Sequence, residues 1–218
     1  MITIATEVYC LYATFLVAFF GASIACIRQD FDTNSVHYQN SEIGVIFRIY
    51  TESLPLVYLN AFVCIPVILI FFQIFLLDIL TNFSYYHILH LPISFFLIDF
   101  TFYIFHYLFH TQKLLGLYRF HKIHHKIKRP VSITSIYLHP IDLFFGNIVP
   151  LYLPLVLLQT SFPIWLFWTF TTIFETTYLS HSGFKDRCEN HDIHHRYFKH
   201  NYGSAAYLSD RLFNTYKY

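Results

Sequence analysis

Long runs of apolar residues constrain the fold of this chain more than any other feature. A helix needs about 20 apolar residues to cross the hydrocarbon core of a bilayer. The runs Val8 to Ile27, Leu54 to Leu77 and Ile88 to Phe109 are long enough. They predict three spans, the second with Pro55 in its first turn and a kink at Pro66.

A further apolar stretch, Leu143 to Leu179, is too long for one crossing and is interrupted between Gln159 and Pro163. It predicts either two short spans or a re-entrant hairpin. The low charge agrees with a bilayer as solvent: 12% of the residues are charged, against about 25% in a typical soluble domain. The predicted fold is all-α, a polytopic membrane helical bundle of about four to five spans or re-entrant hairpins.

Charge indicates which side of the membrane the polar segments face. Lys and Arg are enriched without any acid from Thr111 to Pro130, and they recur from Lys185 to the C-terminus. Such segments stay on the cytoplasmic side, so we expect both there. The formal net charge of +1 gives no basic excess for neutralising phosphates, which argues against nucleic-acid binding.

Histidine is unusually frequent, since the 14 histidines equal Lys and Arg together. Three clusters have helical spacing: His106 with His110, then His121, His124 and His125, then His191, His194 and His195. Positions three and four apart share one helix face, so each cluster should aim its imidazoles at a common point. We expect His139 and His181, at the ends of the hairpin, to lie nearby.

This pattern points to metal binding. Neutral imidazole is a common ligand of iron, zinc, copper and nickel. A zinc site takes three or four protein ligands, so eight converging histidines suit two ions with about four nitrogens each. Acids that accept the other ring N–H fix the tautomer of a ligand, and we predict this role for Asp99, Asp142, Glu175 and Asp192.

The same segments are similar to motifs of the fatty acid hydroxylase/sterol desaturase superfamily, over about Phe95 to Tyr216. The first two histidine clusters, with Asp99 and Leu117 ahead of them, resemble its first two histidine boxes, and the third cluster resembles its last. His139 to Asp142 is similar to the sterol C5-desaturase branch, whereas Glu175 to Gly183 is similar to the C4-methylsterol oxidase and cholesterol 25-hydroxylase-like branches.

The resemblance implies a membrane-bound non-haem di-iron oxygenase that hydroxylates or desaturates a lipid with O₂ and an electron donor, such as cytochrome b5 with its reductase. It implies membrane spans in residues 1–90 and a catalytic domain in 91–218, in the endoplasmic reticulum, with a histidine-rich di-metal helical cap on the cytoplasmic side. Two iron ions (Fe2+/Fe3+) would be held by His106, His110, His121, His124, His125, His139, His181, His191, His194 and His195. The substrate stays open between a sterol, a fatty acyl chain and a sphingoid base.

Two other functions compete with this hypothesis. A zinc-dependent membrane hydrolase is disfavoured because the sequence has no HExxH motif. A metal transporter is disfavoured because the clusters gather at one face instead of running through the spans. The basic cytoplasmic face either docks an acidic electron donor or only sets topology, and the two roles are compatible.

Overall fold

The fold is helical throughout the part of the chain that the structure, a computed structural model, describes. That part comprises residues 4–32, 43–76, 85–111, 116–128, 130–181, 189–204 and 206–218. No β-strand occurs within these ranges, which confirms the all-α prediction.

Three long helical segments form the framework of the bundle. They are α1 (Ile4–Asp30), α2 (Ile43–Leu59) continued by α3 (Ile65–Leu76), and α4 (His90–Thr111) preceded by a 3-10 turn at Tyr85–Leu89. Within them Thr6–Asp30, Ile43–Phe72 and Tyr85–Thr111 are long and apolar enough to cross a membrane. The three spans predicted from the sequence are therefore confirmed by length and composition.

The second span begins earlier than predicted. Because α2 starts at Ile43, Pro55 lies inside the helix, so its expected place in a first turn is wrong. Arg48 and Glu52 pair four positions apart at 3.8 Å, an arrangement that supports the additional helical turns. A π-helical segment, Asn60–Cys64, lies just before Pro66. Such segments give new hydrogen-bond partners to backbone groups that a proline leaves unpaired.

Buried polar side chains of the first two spans hold the segment that follows the second histidine cluster. Asn60 donates through Nδ2 to the carbonyls of Ile136 (2.8 Å) and Leu138 (2.7 Å). Asp30 accepts from the backbone N–H of Ser132 at 3.2 Å and from the hydroxyl of Tyr50 at 2.6 Å. The 3-10 turn Ser132–Ile136 is thereby fixed to α1 and α2.

The predicted hairpin is present. Its first arm is a π-helical segment, Asp142–Ile148, with α6 (Val149–Leu157), and its second is α7 (Phe162–Phe174) with a π-helical segment, Glu175–Ser180. The turn between them includes Gln159 with a positive φ of 50°, at the predicted interruption. The hairpin packs between spans, because α7 lies against α1 and α6 against α4.

The polar end of the bundle consists of short elements: α5 (Tyr118–His121), a 3-10 turn at His124–Lys126, α8 (Glu189–Tyr197) and α9 (Leu208–Leu212). The second histidine cluster was expected on one helix. It lies instead on α5 and the 3-10 turn after it, so that expectation is wrong. Parts of the two basic segments, at 112–115, 129 and 182–188, lie outside the described residues, and their cytoplasmic orientation stays a prediction.

Candidate metal centre

Nine of the ten predicted histidines meet at the polar end of the bundle, in two groups. The five-histidine group contains His106, His110, His121, His125 and His194. The four-histidine group contains His124, His181, His191 and His195. Within each group one nitrogen of every ring lies within 4.8 Å of the others.

Two sequence clusters divide between the groups. His121 and His125 belong to the five-histidine group, whereas His124 belongs to the other. On α8 the assignment is reversed, since His191 and His195 share the four-histidine group and His194 leaves it. On α8, positions i and i+4 differ by about 40° and position i+3 falls about 60° to the other side. The second cluster divides in the same way across α5 and the 3-10 turn. These two clusters therefore each serve two centres, not the single point that the spacing alone suggested.

The Nε2 atoms of the five-histidine group face one another at short range. The Nε2 of His121 lies 3.0 Å from that of His106 and 2.9 Å from that of His125. The Nε2 of His110 lies 3.1 Å from those of His125 and His194. The five nitrogens therefore surround one point.

The four-histidine group repeats this arrangement about a second point. The Nε2 of His191 lies 3.2 Å from that of His181 and 3.1 Å from that of His195. The ring of His124 completes the group, with its centroid 4.6 Å from that of His195. His125 and His195, whose centroids are 4.7 Å apart, connect the two groups.

The outer ring nitrogens show which way the lone pairs point. Most Nδ1 atoms lie against backbone carbonyls: His106 on Tyr202 (2.8 Å), His194 on His200 (2.6 Å), His181 on Thr176 (2.7 Å), His195 on Ile127 (3.0 Å) and His124 on Tyr137 (3.4 Å). A carbonyl only accepts, so each Nδ1 carries the hydrogen and each neutral ring presents its Nε2 lone pair to the centre. Lone pairs that face one another across 3 Å repel unless a cation lies between them.

Protonation does not relieve that repulsion. Burial, reinforced by neighbouring imidazoles, lowers the pKa of His124, His125, His191, His194 and His195 well below the ordinary histidine value. The rings are therefore neutral at physiological pH, which is the form that binds metals.

The donor set fits metal ions. Two nitrogens bound to one ion at about 2.1 Å and at right angles are about 3 Å apart, which matches the observed separations of 2.9–3.2 Å. Five donors also exceed the four of a tetrahedral zinc site. The groups are suited to two ions that take nitrogen ligands at right angles.

One predicted acid touches a histidine directly. The carboxylate of Asp142 lies 2.8 Å from Nδ1 of His121, with both side chains buried. Gly146 lies so close to Asp142 that a Cβ there would collide with the carboxylate. The π-helical segment Asp142–Ile148 thus brings its own first residue against the five-histidine group.

The other predicted residues occupy different places. His139 belongs to neither group: its Nδ1 accepts from the backbone N–H of Ile141 at 3.2 Å, and its ring packs on Phe120. Asp99 accepts from the backbone N–H of Ser209 at 2.7 Å. Asp192 is buried on α8. Glu175 accepts from the hydroxyl of Ser180 at 3.3 Å and lines a cavity described below.

A loop that the histidine spacing did not reveal also holds the site. The carbonyl of Tyr202 bonds His106, and the loop is fixed by Asp210, which accepts from the N–H groups of Tyr202 (2.9 Å) and Gly203 (2.6 Å). A Cβ at Gly203 would lie 2.9 Å from Asp210 and 3.1 Å from Asp99, so any other residue would push these carboxylates away. In the sequence, Gly203 ends an Asn-Tyr-Gly segment at 201–203 and Asp210 begins an Asp-Arg-Leu-Phe segment at 210–213, and neither belongs to a histidine cluster.

A cavity opens beside both groups, and we name it the metal-facing cavity. His106 and His121 of the five-histidine group line it, as do His124, His181 and His191 of the four-histidine group. The rest of its wall is mainly apolar, from side chains that include Phe95, Ile98, Phe102, Leu138 and Leu151. Its empty space is about 890 Å³ when the open mouth is included.

Comparison with known proteins identifies relatives of this region. The family model described as fatty acid hydroxylase matches residues 91–215. A fatty acid hydroxylase of Mycosarcoma maydis is 32% identical over 55% of this chain and 31% of its own length. A Delta(7)-sterol 5(6)-desaturase of Candida dubliniensis is 37% identical over 44% and 26%.

A third relative carries the name of a different reaction. A very-long-chain aldehyde decarbonylase of Oryza sativa subsp. indica is 32% identical over 55% of this chain and 49% of its own length. The matched regions thus cover between about a quarter and a half of these relatives. No solved structure matches the chain.

Proposed function

The chain belongs to the fatty acid hydroxylase family, and we propose that it is a membrane-bound di-iron oxygenase that oxidises a C–H bond of a lipid with O₂. The observation that carries this proposal is the convergence of nine imidazoles on two points beside a largely apolar cavity. A lipid in that cavity would lie against both groups.

In this proposal each group holds one iron ion. His106, His110, His121, His125 and His194 would bind the first, and His124, His181, His191 and His195 the second. Iron, when bound, supplies the activation of O₂ that removes hydrogen from an unactivated C–H bond.

The residues of the chain itself orient the histidine rings and exclude water from the site. The carboxylate of Asp142 and the carbonyls of Tyr202, Thr176 and His200 fix the direction of four rings, which raises the basicity of the ligands. Phe95, Phe102 and Leu151 line the cavity with apolar surface that excludes water. The site needs no protonated histidine, since burial keeps the rings neutral.

The relatives and the charge of the chain support the remaining features of this proposal. We propose that the substrate is a sterol or a fatty-acyl lipid, because the relatives include a sterol desaturase and a fatty acid hydroxylase. We place the protein in the endoplasmic reticulum with the histidine site on the cytoplasmic side, where Lys and Arg favour that orientation. The electron donor would be cytochrome b5 with its reductase, docked on the basic face.

Lipid profiling tests this function. Cells that express the chain should accumulate an oxidised sterol or acyl lipid. His194→Ala with His195→Ala, which takes one ligand from each group, should abolish that product. His90→Ala serves as the matched control, because His90 lies on the same helix as His106 and belongs to neither group.

The outcome separates this proposal from the zinc hydrolase. An oxygenase predicts iron in the purified protein and a product that disappears when O₂ is withheld. Zinc as the resident metal, with turnover that continues without O₂, would favour the hydrolase. Product formation that survives the double substitution would refute both, since neither function works without the histidines.

A further inference from the structure

A second cavity lies behind the metal-facing one. We name it the inner cavity. Six residues line both cavities and form a common wall between them: Phe102, Ser135, Leu138, Asn147, Leu151 and Thr176. Displacing a few of these side chains would join the cavities into a single elongated space that begins at the histidines.

The two cavities differ in polarity. The metal-facing cavity contains Glu175, Ser180 and Ser204, which the inner cavity lacks. Beyond the common wall, the inner cavity is lined by apolar side chains of the spans, such as Leu11 of α1 and Leu69 of α3. A lipid spanning both would place its more polar part near the histidines, because an unpartnered polar group in the inner cavity would be costly.

Three polar side chains that line the inner cavity already have hydrogen-bond partners. The hydroxyl of Tyr152 lies 2.8 Å from that of Thr169, and the hydroxyl of Ser135 lies 3.0 Å from that of Thr177. Asn147 donates to the carbonyl of Asp142 at 3.2 Å. The inner cavity therefore offers a lipid little besides apolar contact.

We propose that the inner cavity receives the apolar end of the lipid substrate and that Leu69 and Leu151 determine the length of apolar chain the site accepts. This inference rests on the proposed function and adds the orientation of the substrate: the oxidised carbon lies on the polar side of the molecule, and the apolar end points between α1 and α3. Leu69 lines the inner cavity but not the metal-facing one, and Leu151 lines both.

Two tryptophans make binding measurable without turnover. The ring of Trp165 stacks on Tyr152, which lines the inner cavity, at 5.3 Å, and the indole N–H of Trp168 donates to the carbonyl of Leu151. Both tryptophans are buried, so bromine bound in the inner cavity should quench them more strongly than bromine in the surrounding detergent. The probe is a fatty acid brominated at its terminal carbon and added to detergent-purified protein.

Saturable quenching by the brominated fatty acid is expected in the unchanged protein. Leu69→Phe fills the inner cavity and should weaken that binding about tenfold, the effect of a misfit of about one methylene group. Ile70→Phe is the matched control: Ile70 follows Leu69 on α3 but is 51% exposed on the outer face, so binding should not change. The iron content of all variants should stay equal.

Chain length provides the second measurement. Leu151→Ala removes part of the common wall and should shift binding preference toward fatty acids with longer apolar ends, whereas Leu69→Phe should shift it toward shorter ones. Equal binding of all lengths by the three variants and the unchanged protein would overturn the inference. So would the absence of saturable quenching. Neither result bears on lipid oxidation, so failure here is distinct from failure of the proposed oxygenase activity.

Discussion

The two histidine groups share two of the three sequence clusters but differ in the number of ligands and in their access to the metal-facing cavity. The five-histidine group has only His106 and His121 on the metal-facing cavity, whereas the four-histidine group has His124, His181 and His191 there. The group with fewer imidazoles is thus the more accessible from this cavity. A metal with an open coordination position is what substrate and O₂ need, so we expect the four-histidine group to be the more sensitive to loss of a ligand.

The largest effect should come from removing one ligand from each group in turn. His191→Ala leaves the accessible group with three imidazoles, so activity should fall more than about 100-fold and one iron per chain should be lost. His110→Ala leaves four imidazoles in the other group and should retain more metal. Iron content and turnover of the purified variants check this comparison, and equal metal loss in both would contradict it.

The next largest effect is expected at Asp142, which orients a predicted metal ligand but is not itself a ligand. Asp142→Asn keeps the shape of the side chain but removes the charge that orients His121, and metal affinity should fall by about 10-fold to 100-fold. Competition with a chelator measures it. Asp32→Asn, at an exposed position after α1, is the control. If Asp142→Asn and this control have the same metal affinity, the carboxylate has no role in holding His121.

Acidification should release the metal ions from both histidine groups. The pKa of His181 is lowered by burial to about 4, whereas an unfolded histidine has a pKa of about 6.5. Below about pH 6.5 the unfolded chain therefore binds more protons than the folded one, so stability is present above that pH and is lost as the pH falls toward 4. Protons also compete with metal for the same nitrogens. Unfolding and metal release should increase together from pH 7 to pH 5, and a pH-independent metal content would argue against histidine ligands.

The smallest effect is expected at Glu175, which lines the cavity but contacts neither group through a described hydrogen bond. Glu175→Gln should change KM by about fivefold, the effect of one hydrogen bond, while the iron content stays the same. Glu52→Gln, at a side chain that is 73% exposed, provides the control. A loss of iron in Glu175→Gln would instead indicate that this carboxylate supports a ligand.

Prediction from the sequence succeeded for the elements that depend on local features of the chain. Apolar length identified the three spans, and the interruption after Gln159 identified the hairpin. Prediction from the sequence failed where contacts between distant parts of the chain determine an element. The start of α2 at Ile43 depends on a helix that continues through Pro55, and the second histidine cluster is divided between α5 and a 3-10 turn.

The same limit applies to the site. Spacing indicated that the histidines converge, but it could not assign His124 and His194 to groups other than those of their neighbours, because that depends on how α5 and α8 face each other. The partners of the outer nitrogens were missed for a different reason. They are mostly backbone carbonyls, such as those of Tyr202 and Ile127, and a carbonyl has no residue type that a sequence could reveal.

Anomalous diffraction from crystals of the iron-loaded protein, recorded at the iron absorption edge, tests the central claim most directly. Two peaks are expected in each chain, one surrounded by the Nε2 atoms of the five-histidine group and one by those of His181, His191 and His195 with the ring of His124. A single peak, or none in protein that is active, would contradict the proposal of a two-metal centre.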